Sequence, residues 1–125
     1  IAFGVYEGCT ALPTERDPHP DPNLLNFIRD PEHYVAPEGG ESIPGLCMRM
    51  SAYLNSLIRR RDLQDKTILL STHGAATCAM LNAIDPPEGF FWRGGVPYNC
   101  SYAIVDVIDG EPELVAENQI CYAPA

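Results

Sequence analysis

The sequence feature that most constrains the fold of this chain is a short apolar run that stops at a histidine and leads directly into helix-forming residues. Residues 67–72 contain the β-branched and aliphatic side chains that favour strands, and the run is short enough for a buried strand. After Gly74 the sequence is rich in alanine and favours a helix. The pattern therefore predicts a buried strand, a turn at His73 and a helix over residues 74–84.

A longer helix is predicted before this strand. Between Ser42 and about Arg61, apolar residues recur at steps of three and four, which is typical of an amphipathic helix. Ser42 can act as the N-cap, and Pro44 suits the first turn. The three arginines at 59–61 would then lie at the helix C-terminus, where positive charge is favourable. Because a helix, a strand and a helix follow one another closely, we expect a parallel sheet.

The C-terminal part of the chain predicts a β-hairpin. A strand is expected within residues 101–108, and Asp109-Gly110 is a typical two-residue hairpin turn. Residues 114–120 can return as an antiparallel strand. Pro112 implies that this second strand lies at a sheet edge or starts late, since proline has no N–H to donate.

Residues 9–45 are expected to form a long loop with one short helix. This stretch carries seven of the twelve prolines, which excludes a continuous helix or a central strand. The helix is predicted over residues 23–29, with Pro31 ending it. A long excursion of this kind is usually a functional lid or a poorly ordered linker, and its aromatic and aliphatic content favours a lid.

Charge and cysteine content limit the partners of this chain. A net charge of -9 argues against nucleic acid and anionic membranes, which both reward clustered lysine and arginine. The five cysteines are odd in number and widely spaced, which suits a reduced, cytoplasmic protein. No apolar run approaches the roughly 18 residues that span a bilayer. The Cys-x5-Arg loop, the Gly-x-Ser-x-Gly elbow and the Gly-Lys phosphate loop are also missing from the sequence.

His73 is the strongest candidate for a functional residue. It follows the carboxyl end of the predicted strand, which is where open α/β sheets bind ligands. The backbone N–H groups of Gly74 and Ala75 would point at the same place, and a helix N-terminus attracts anions. An isolated histidine is more often structural or solvent-exposed, but this position favours binding of a phosphate or a carboxylate.

Four segments support a more specific interpretation. Phe3–Gly8 is similar to a Phe-Gly-x-Trp-Glu-Gly motif, with tyrosine in place of tryptophan, and Pro37–Ser42 is similar to Pro-x-Gly-Glu-Ser with one residue added or shifted. Ser71–Gly74 is similar to a second histidine motif, and Asn99–Ser101 to an Asn-x-Ser strand start. In this order and spacing, the segments resemble the histidine phosphatase superfamily, which includes the cofactor-dependent phosphoglycerate mutases. Arg49 also matches an arginine of that pattern.

This resemblance implies an α/β fold, namely a three-layer α/β/α sandwich with a mostly parallel sheet of the phosphoglycerate mutase type. Residues 1–125 would form the C-terminal part of a single domain of this kind, with residues 9–45 as its lid-like loop. The family's nucleophilic histidine belongs to an Arg-His-Gly motif, and this chain contains no Arg-His pair. The family's proton-donating glutamate would fall just before Ile1. We therefore expect an N-terminally incomplete domain of a longer protein.

The resemblance also implies a function, which is a phosphatase of small phosphorylated metabolites that forms a phosphohistidine intermediate. In that reaction His73 would contact the phosphoryl oxygens and stabilise their developing charge, without a metal ion or other cofactor. A cofactor-dependent phosphoglycerate mutase and a non-catalytic anion-binding or interaction module are the alternatives. Residues 1–125 alone would bind the metabolite or inorganic phosphate weakly and turn over nothing. The sequence predicts neither the substrate nor the oligomeric state.

Three further residues are candidates for a substrate pocket. Tyr6 and Glu7 lie in the first of the similar segments, and we expect Glu7 to shape the pocket wall rather than to transfer a proton. Ser42 can line the site, although capping of the helix that it begins accounts for it equally well. Tyr34 and residues 90–92 could close over a substrate, but packing in the core or in a lid explains them better.

Overall fold

The computed structural model describes residues 1–123, which form three α-helices and one β-hairpin. The helices are α1 (Pro22–Arg29), α2 (Ile43–Ile58) and α3 (Gly74–Ile84). The strands are β1 (Tyr102–Ile108) and β2 (Glu111–Gln119), and short 3-10 helices cover Gly4–Tyr6, Pro31–His33 and Arg61–Leu63. No helix within residues 1–123 is long and apolar enough to cross a membrane.

Helix α1 begins where its sequence supplies a cap. The carboxylate of Asp21 accepts a hydrogen bond from the backbone N–H of Asn23 at 2.8 Å, and Pro22 occupies the first turn. The helix ends at Arg29, just before the turn that contains Pro31. The prediction of one short α-helix in the proline-rich stretch is confirmed, with a start one residue earlier than predicted.

Helix α2 begins at the predicted cap but ends earlier than predicted. Oγ of Ser42 accepts a hydrogen bond from the backbone N–H of Gly45 at 3.1 Å. The last helical residue is Ile58, so the arginines at 59–61 follow the helix, and their predicted place in its last turn is wrong. The backbone becomes extended at Arg60 and a short 3-10 turn follows, so the helix cannot continue, and the Arg60 side chain pairs with Asp62 in solvent.

Helices α2 and α3 pack against each other and form the main core. On α2, Leu46 is fully buried, and on α3 both Cys78 and Ala79 are 1% exposed. A helix satisfies most of its backbone hydrogen bonds internally, so a single packing partner is enough to bury one of its faces. The two helices therefore bury these faces against each other, and α3 also contacts strand β2.

An aromatic cluster joins α1 and the segment after α3 to this core. The ring of Phe27 meets those of Phe3, Tyr34 and Trp92 edge-on, with centroids 5.0, 5.3 and 5.5 Å apart. The indole N–H of Trp92 donates to the carbonyl of Phe27 at 3.0 Å, and Phe91 is buried beside it. Packing in the core thus accounts for three of the aromatic residues that could close over a substrate, namely Tyr34, Phe91 and Trp92.

Residues 67–72 do not form the buried strand that their sequence predicts. They belong to no helix or strand, and the exposed fractions of Ile68, Leu69 and Leu70 are 44%, 92% and 37%. A strand needs a neighbouring strand to accept and donate backbone hydrogen bonds. Within residues 1–123 no strand pairs with this segment. The prediction of a buried strand is therefore wrong for this structure, because the partner that would bury it is not among these residues.

The predicted β-hairpin is confirmed. Strands β1 and β2 are antiparallel, and the turn residues Asp109 and Gly110 have φ angles of 53° and 84°, as a type I′ turn requires. Strand β2 starts directly after the turn, so the alternative of a late start is wrong. Pro112 lies opposite Val107 and is tolerated because both strands of this sheet are edges.

Residues 1–123 do not form the predicted three-layer sandwich. Their sheet has two strands, and these are antiparallel. A parallel sheet covered by helices on both faces is therefore not present in residues 1–123, and the three-layer arrangement stays a prediction.

Arg93 connects the end of α3 to the hairpin. Its side chain is 9% exposed and donates to Oδ2 of Asp85 at 2.7 Å and to Oδ1 of Asn82 at 3.2 Å. It also forms an ion pair with Glu117 on β2. Two carboxylates thus compensate the guanidinium for its lost hydration, and the hairpin is tied to the helix that begins at His73.

Candidate functional site

His73 occupies the N-cap position of α3. Its backbone is extended, and its carbonyl accepts hydrogen bonds from the N–H and the hydroxyl of Thr77 at 3.0 and 3.3 Å. The imidazole is exposed and makes no capping hydrogen bond among the described residues. The helical hydrogen bonds therefore begin at Thr77, and the N–H groups of Gly74 and Ala75 have no acceptor within α3.

The N-terminus of α3 also keeps its partial positive charge. A helix N-terminus carries the equivalent of about half a positive charge, which an acidic side chain in the first turn would offset. The first turn of α3 contains no acidic residue. The predicted phosphate-binding residues His73, Gly74 and Ala75 are consecutive and lie at this terminus, although Ala75 is buried. Their binding role stays a prediction.

An open groove lies beside His73, between α2 and the start of α3. Its volume is about 400 Å³, which is within the range of small-molecule pockets, about 300 to 1,000 Å³. The lining residues come from the N-terminal segment, one face of α2 and the turn before α3: Ile1, Arg49, Met50, Tyr53, Thr72, His73 and Ala76. The groove thus combines an imidazole, a guanidinium and two hydroxyl side chains with an apolar floor.

Arg49 is held at the groove by Glu41. Its Nε donates to Oε1 and its Nη2 donates to Oε2, both at 2.8 Å, which is the two-point geometry that arginine and carboxylate favour. These hydrogen bonds lower the pKa of Glu41 below its ordinary value and raise the pKa of Arg49. The pair is ionised at neutral pH, and the guanidinium has a fixed orientation.

Tyr6 and Glu7 lie away from this groove. They belong to a turn in which Oε1 of Glu7 accepts a hydrogen bond from the backbone N–H of Phe3 at 2.7 Å. Tyr6 and Glu7 also help to raise the pKa of Tyr34, after the larger effect of its burial. Among residues 1–123, neither Tyr6 nor Glu7 lines the groove with His73. Their assignment to a substrate pocket stays a prediction.

Ser42 is explained by its structural role. Its hydroxyl accepts the hydrogen bond that caps α2, and in the described part of the chain it does not line the groove. The residue that reaches the groove from this region is Arg49, and sequence reasoning matched Arg49 to the family without giving it a role. Its spacing from Tyr53 was a usable signal, because residues four apart on a helix share a face.

Comparison with known proteins assigns the chain to a family. No curated protein and no solved structure is significantly similar to it. The family model of the histidine phosphatase superfamily (branch 1), in contrast, matches residues 1–120. Members of that superfamily have an α/β fold and are in general phosphatases or mutases. Since the match covers nearly the whole chain, this chain belongs to the histidine phosphatase superfamily.

Proposed function

We propose that this chain contributes the charge-stabilising half of a phosphatase that acts on small phosphorylated metabolites. The observation that carries the proposal is the position of His73. Its exposed imidazole stands at the N-terminus of α3, beside a groove large enough for a metabolite. This arrangement suits a phosphoryl group, since ring N–H and backbone N–H groups can donate to several of its oxygens at once.

The proposed reaction divides phosphoryl transfer into two displacements. In the first, a histidine of an upstream Arg-His-Gly motif attacks phosphorus, so that a P–N bond forms and the P–O bond to the leaving group breaks. The leaving oxygen takes a proton from an upstream glutamate, as the family resemblance implies. In the second, a water oxygen attacks phosphorus while the deprotonated glutamate takes a proton from that water, so that a P–O bond forms, the P–N bond to the histidine breaks and inorganic phosphate is released. His73 is assigned to the non-bridging oxygens in both steps, where it stabilises the charge of each transition state.

The exposed segment 67–72 supports the proposal that residues 1–125 are part of a larger domain. Three consecutive aliphatic side chains, Ile68, Leu69 and Leu70, face solvent, and their backbone is unpaired by any strand of residues 1–123. An adjacent strand on an upstream segment would bury these side chains and complete the parallel sheet of a three-layer sandwich.

The five free cysteines suit a cytoplasmic location.

The test uses the parent protein, in which the proposal requires an Arg-His-Gly motif before Ile1. It is assayed for phosphate release from a panel of phosphorylated metabolites that includes phosphoglycerates. We expect His73→Ala to lower turnover by at least about a hundredfold, as loss of a charge-stabilising group does in other enzymes. His33→Ala is the matched control, because His33 is an exposed histidine that contacts Asp30.

Three results would contradict the phosphatase proposal in different ways. Near-normal turnover of the His73 variant would make His73 structural. Isomerised phosphoglycerate without release of phosphate would identify a mutase. A parent protein that lacks the upstream histidine and glutamate would leave a non-catalytic anion-binding module.

A further inference from the structure

The open end of the β-hairpin brings two of the five cysteines together. The last pair of the ladder between β1 and β2 is Tyr102 opposite Gln119. Two residues further out on each segment, the same register places Cys100 opposite Cys121. Directly opposite residues of an antiparallel pair have Cα atoms about 4.5 to 5.5 Å apart, and a disulfide needs about 4.4 to 6.8 Å. The register therefore suits a cross-strand disulfide.

A hydrogen bond joins the residues next to these cysteines. The hydroxyl of Tyr122, which follows Cys121, donates to the carbonyl of Asn99, which precedes Cys100, at 2.6 Å. The ladder itself has ended at this point, because Cys100 lies in a turn with a φ of 56°. The two chain segments stay side by side beyond Tyr102, so the cysteines lie between the last ladder pair and a side-chain hydrogen bond.

The open end of the hairpin also contacts the helix that begins at His73. The backbone N–H of Tyr98 donates to Oδ1 of Asn118 on β2 at 3.0 Å. Pro97, one residue earlier, packs on the first residue of α3, with its Cδ 3.4 Å from the position that a Cβ on Gly74 would take. A covalent bond between the two segments would therefore restrict the stretch of chain that packs on the start of α3.

The thiols at the open end are accessible, unlike those of the core. Cys100 and Cys121 are exposed, whereas Cys78 is 1% exposed and Cys47 is half-buried. Burial raises the pKa of both Cys78 and Cys47, which disfavours the reactive thiolate form. The remaining exposed cysteine, Cys9, lies outside the hairpin. An oxidant therefore reaches three thiols, and the hairpin register pairs two of them.

We propose that Cys100 and Cys121 are a redox-active pair that hydrogen peroxide converts to a reversible disulfide. The thiolate of one cysteine attacks a peroxide oxygen, so that an S–O bond forms, the O–O bond breaks and the departing hydroxide takes up a proton to leave as water. The second thiol then loses its proton and attacks that sulfur, so that the S–S bond forms, the S–O bond breaks and a second water leaves.

The balance of this reaction is two thiols oxidised by two electrons and one peroxide reduced to two waters. In a reducing compartment such a pair is a dithiol at rest, and the disulfide forms only on oxidation. The pair requires no part of the proposed phosphoryl transfer. Its product closes the open end of the hairpin and fixes the segment that packs on Gly74.

The test maps the cross-links that one equivalent of hydrogen peroxide forms in the reduced 125-residue chain. Proteolytic cleavage after glutamate puts the three exposed cysteines on three separate fragments, so mass spectrometry identifies which two are joined. We expect the bond between Cys100 and Cys121 to exceed every cross-link that involves Cys9 at least about tenfold, because proximity raises the effective concentration of the second thiol.

Thermal unfolding gives a second readout. A disulfide across residues 101–120 restricts the unfolded chain, so oxidation should raise the melting temperature by at least about 5 °C, and dithiothreitol should reverse the rise. Cys121→Ser should abolish both the cross-link and the rise. Cys9→Ser is the matched control, because Cys9 is also exposed, and it should keep both.

Several results would overturn the redox pair. One is an oxidised chain in which bonds to Cys9 or between two chains are as abundant as the bond between Cys100 and Cys121. A second is a melting temperature that oxidation leaves unchanged or lowers, since the hairpin would then not hold the two thiols in bonding geometry. A third is a rise in melting temperature that persists in Cys121→Ser or is lost in Cys9→Ser.

Discussion

The two stretches of chain that meet at His73 are both apolar, yet one is exposed and the other is buried. Before the histidine, Ile68 is 44% and Leu69 is 92% exposed. After it, Cys78 is 1% and Leu81 is 6% exposed. The difference cannot come from hydrophobicity, since the aliphatic side chains before His73 are at least as apolar as the alanine-rich helix that follows.

The difference comes from what each backbone conformation needs. An α-helix forms its hydrogen bonds within itself, so α3 needs only apolar surfaces to pack against, and α2 supplies the main one. A strand requires a second strand on at least one side before its side chains can pack against anything. β1 and β2 supply that partner to each other through a two-residue turn, and residues 67–72 have none within residues 1–123.

Hydrogen exchange gives the largest expected contrast between these two stretches. The amides of residues 78–81 lie in a buried helix, whereas those of residues 68–70 belong to no helix or strand. We expect the helical amides to exchange at least about a hundredfold more slowly relative to their intrinsic rates. The measurement is residue-resolved hydrogen–deuterium exchange by NMR on the 125-residue chain. Equal protection of both stretches would show that residues 67–72 find a strand partner in solution.

A leucine-to-alanine substitution should lower the free energy of unfolding far more in the buried core than in the exposed stretch before His73. Leu46 of α2 is fully buried, so Leu46→Ala should lower the free energy of unfolding by about 2 to 5 kcal/mol. Leu69→Ala is the matched control and should change it by no more than about 0.5 kcal/mol, because that side chain already faces solvent. Urea unfolding of the two variants measures both values.

The Leu69 variant also bears on the proposal of a larger domain. In a parent protein with an adjacent upstream strand, Leu69→Ala should become as costly as other buried leucine truncations, about 2 to 5 kcal/mol. A cost that stays near zero in the parent would mean that no strand covers residues 67–72. Comparing the cost of Leu69→Ala in the 125-residue chain with its cost in the parent protein therefore shows whether an upstream strand buries Leu69.

The parts of the fold that the sequence predicted are those whose contacts are local. Ser42 as a cap, the helix after Asp21 and the Asp109-Gly110 turn depend on neighbours within a few residues, and all three are confirmed. The buried strand at 67–72 depended on a partner far away in sequence or outside the chain, and local pattern carries no information about such a partner. The early end of α2 follows from the extended backbone at Arg60 and the 3-10 turn after it.

In the candidate site too, the sequence predicted the local features and missed the contacts between residues distant in sequence. The histidine at the start of α3 was predictable, because the apolar run and the alanine-rich helix fix where the turn must lie. Its neighbours across the groove were not, since Arg49 and Thr72 come together only through the packing of α2 on α3. Tyr6 and Glu7 were selected for their motif, and within residues 1–123 neither lines the groove, while Glu7 accepts a hydrogen bond from the backbone of Phe3.

The smallest expected effect is the pH dependence of stability that comes from two ion pairs, Glu41–Arg49 and Arg60–Asp62. The two pairs differ in the burial of the carboxylate. Glu41, at the start of α2, has 21% of its side chain exposed, whereas Asp62, in the connection toward residue 67, has 63% exposed, and their arginine partners are about equally exposed. Hydrogen bonds from the arginine lower the pKa of the carboxyl group in both pairs. A lowered pKa in the folded state contributes stability above the unfolded-state pKa, and that contribution disappears as the pH falls through the folded-state value.

At pH 7 we therefore expect Glu41→Gln to unfold more easily than the unmodified chain, by up to about 1 kcal/mol. Below the ordinary glutamate value of about 4.5 the difference should shrink, and it should vanish once Glu41 is protonated in the folded protein. Asp62→Asn is the control and should give no measurable difference at any pH, since Asp62 and its partner Arg60 are both exposed to solvent. Urea unfolding at several pH values measures the two variants. A Glu41→Gln effect that persists at low pH would assign the loss to packing of the side chain, and its charge would then play no part in positioning Arg49.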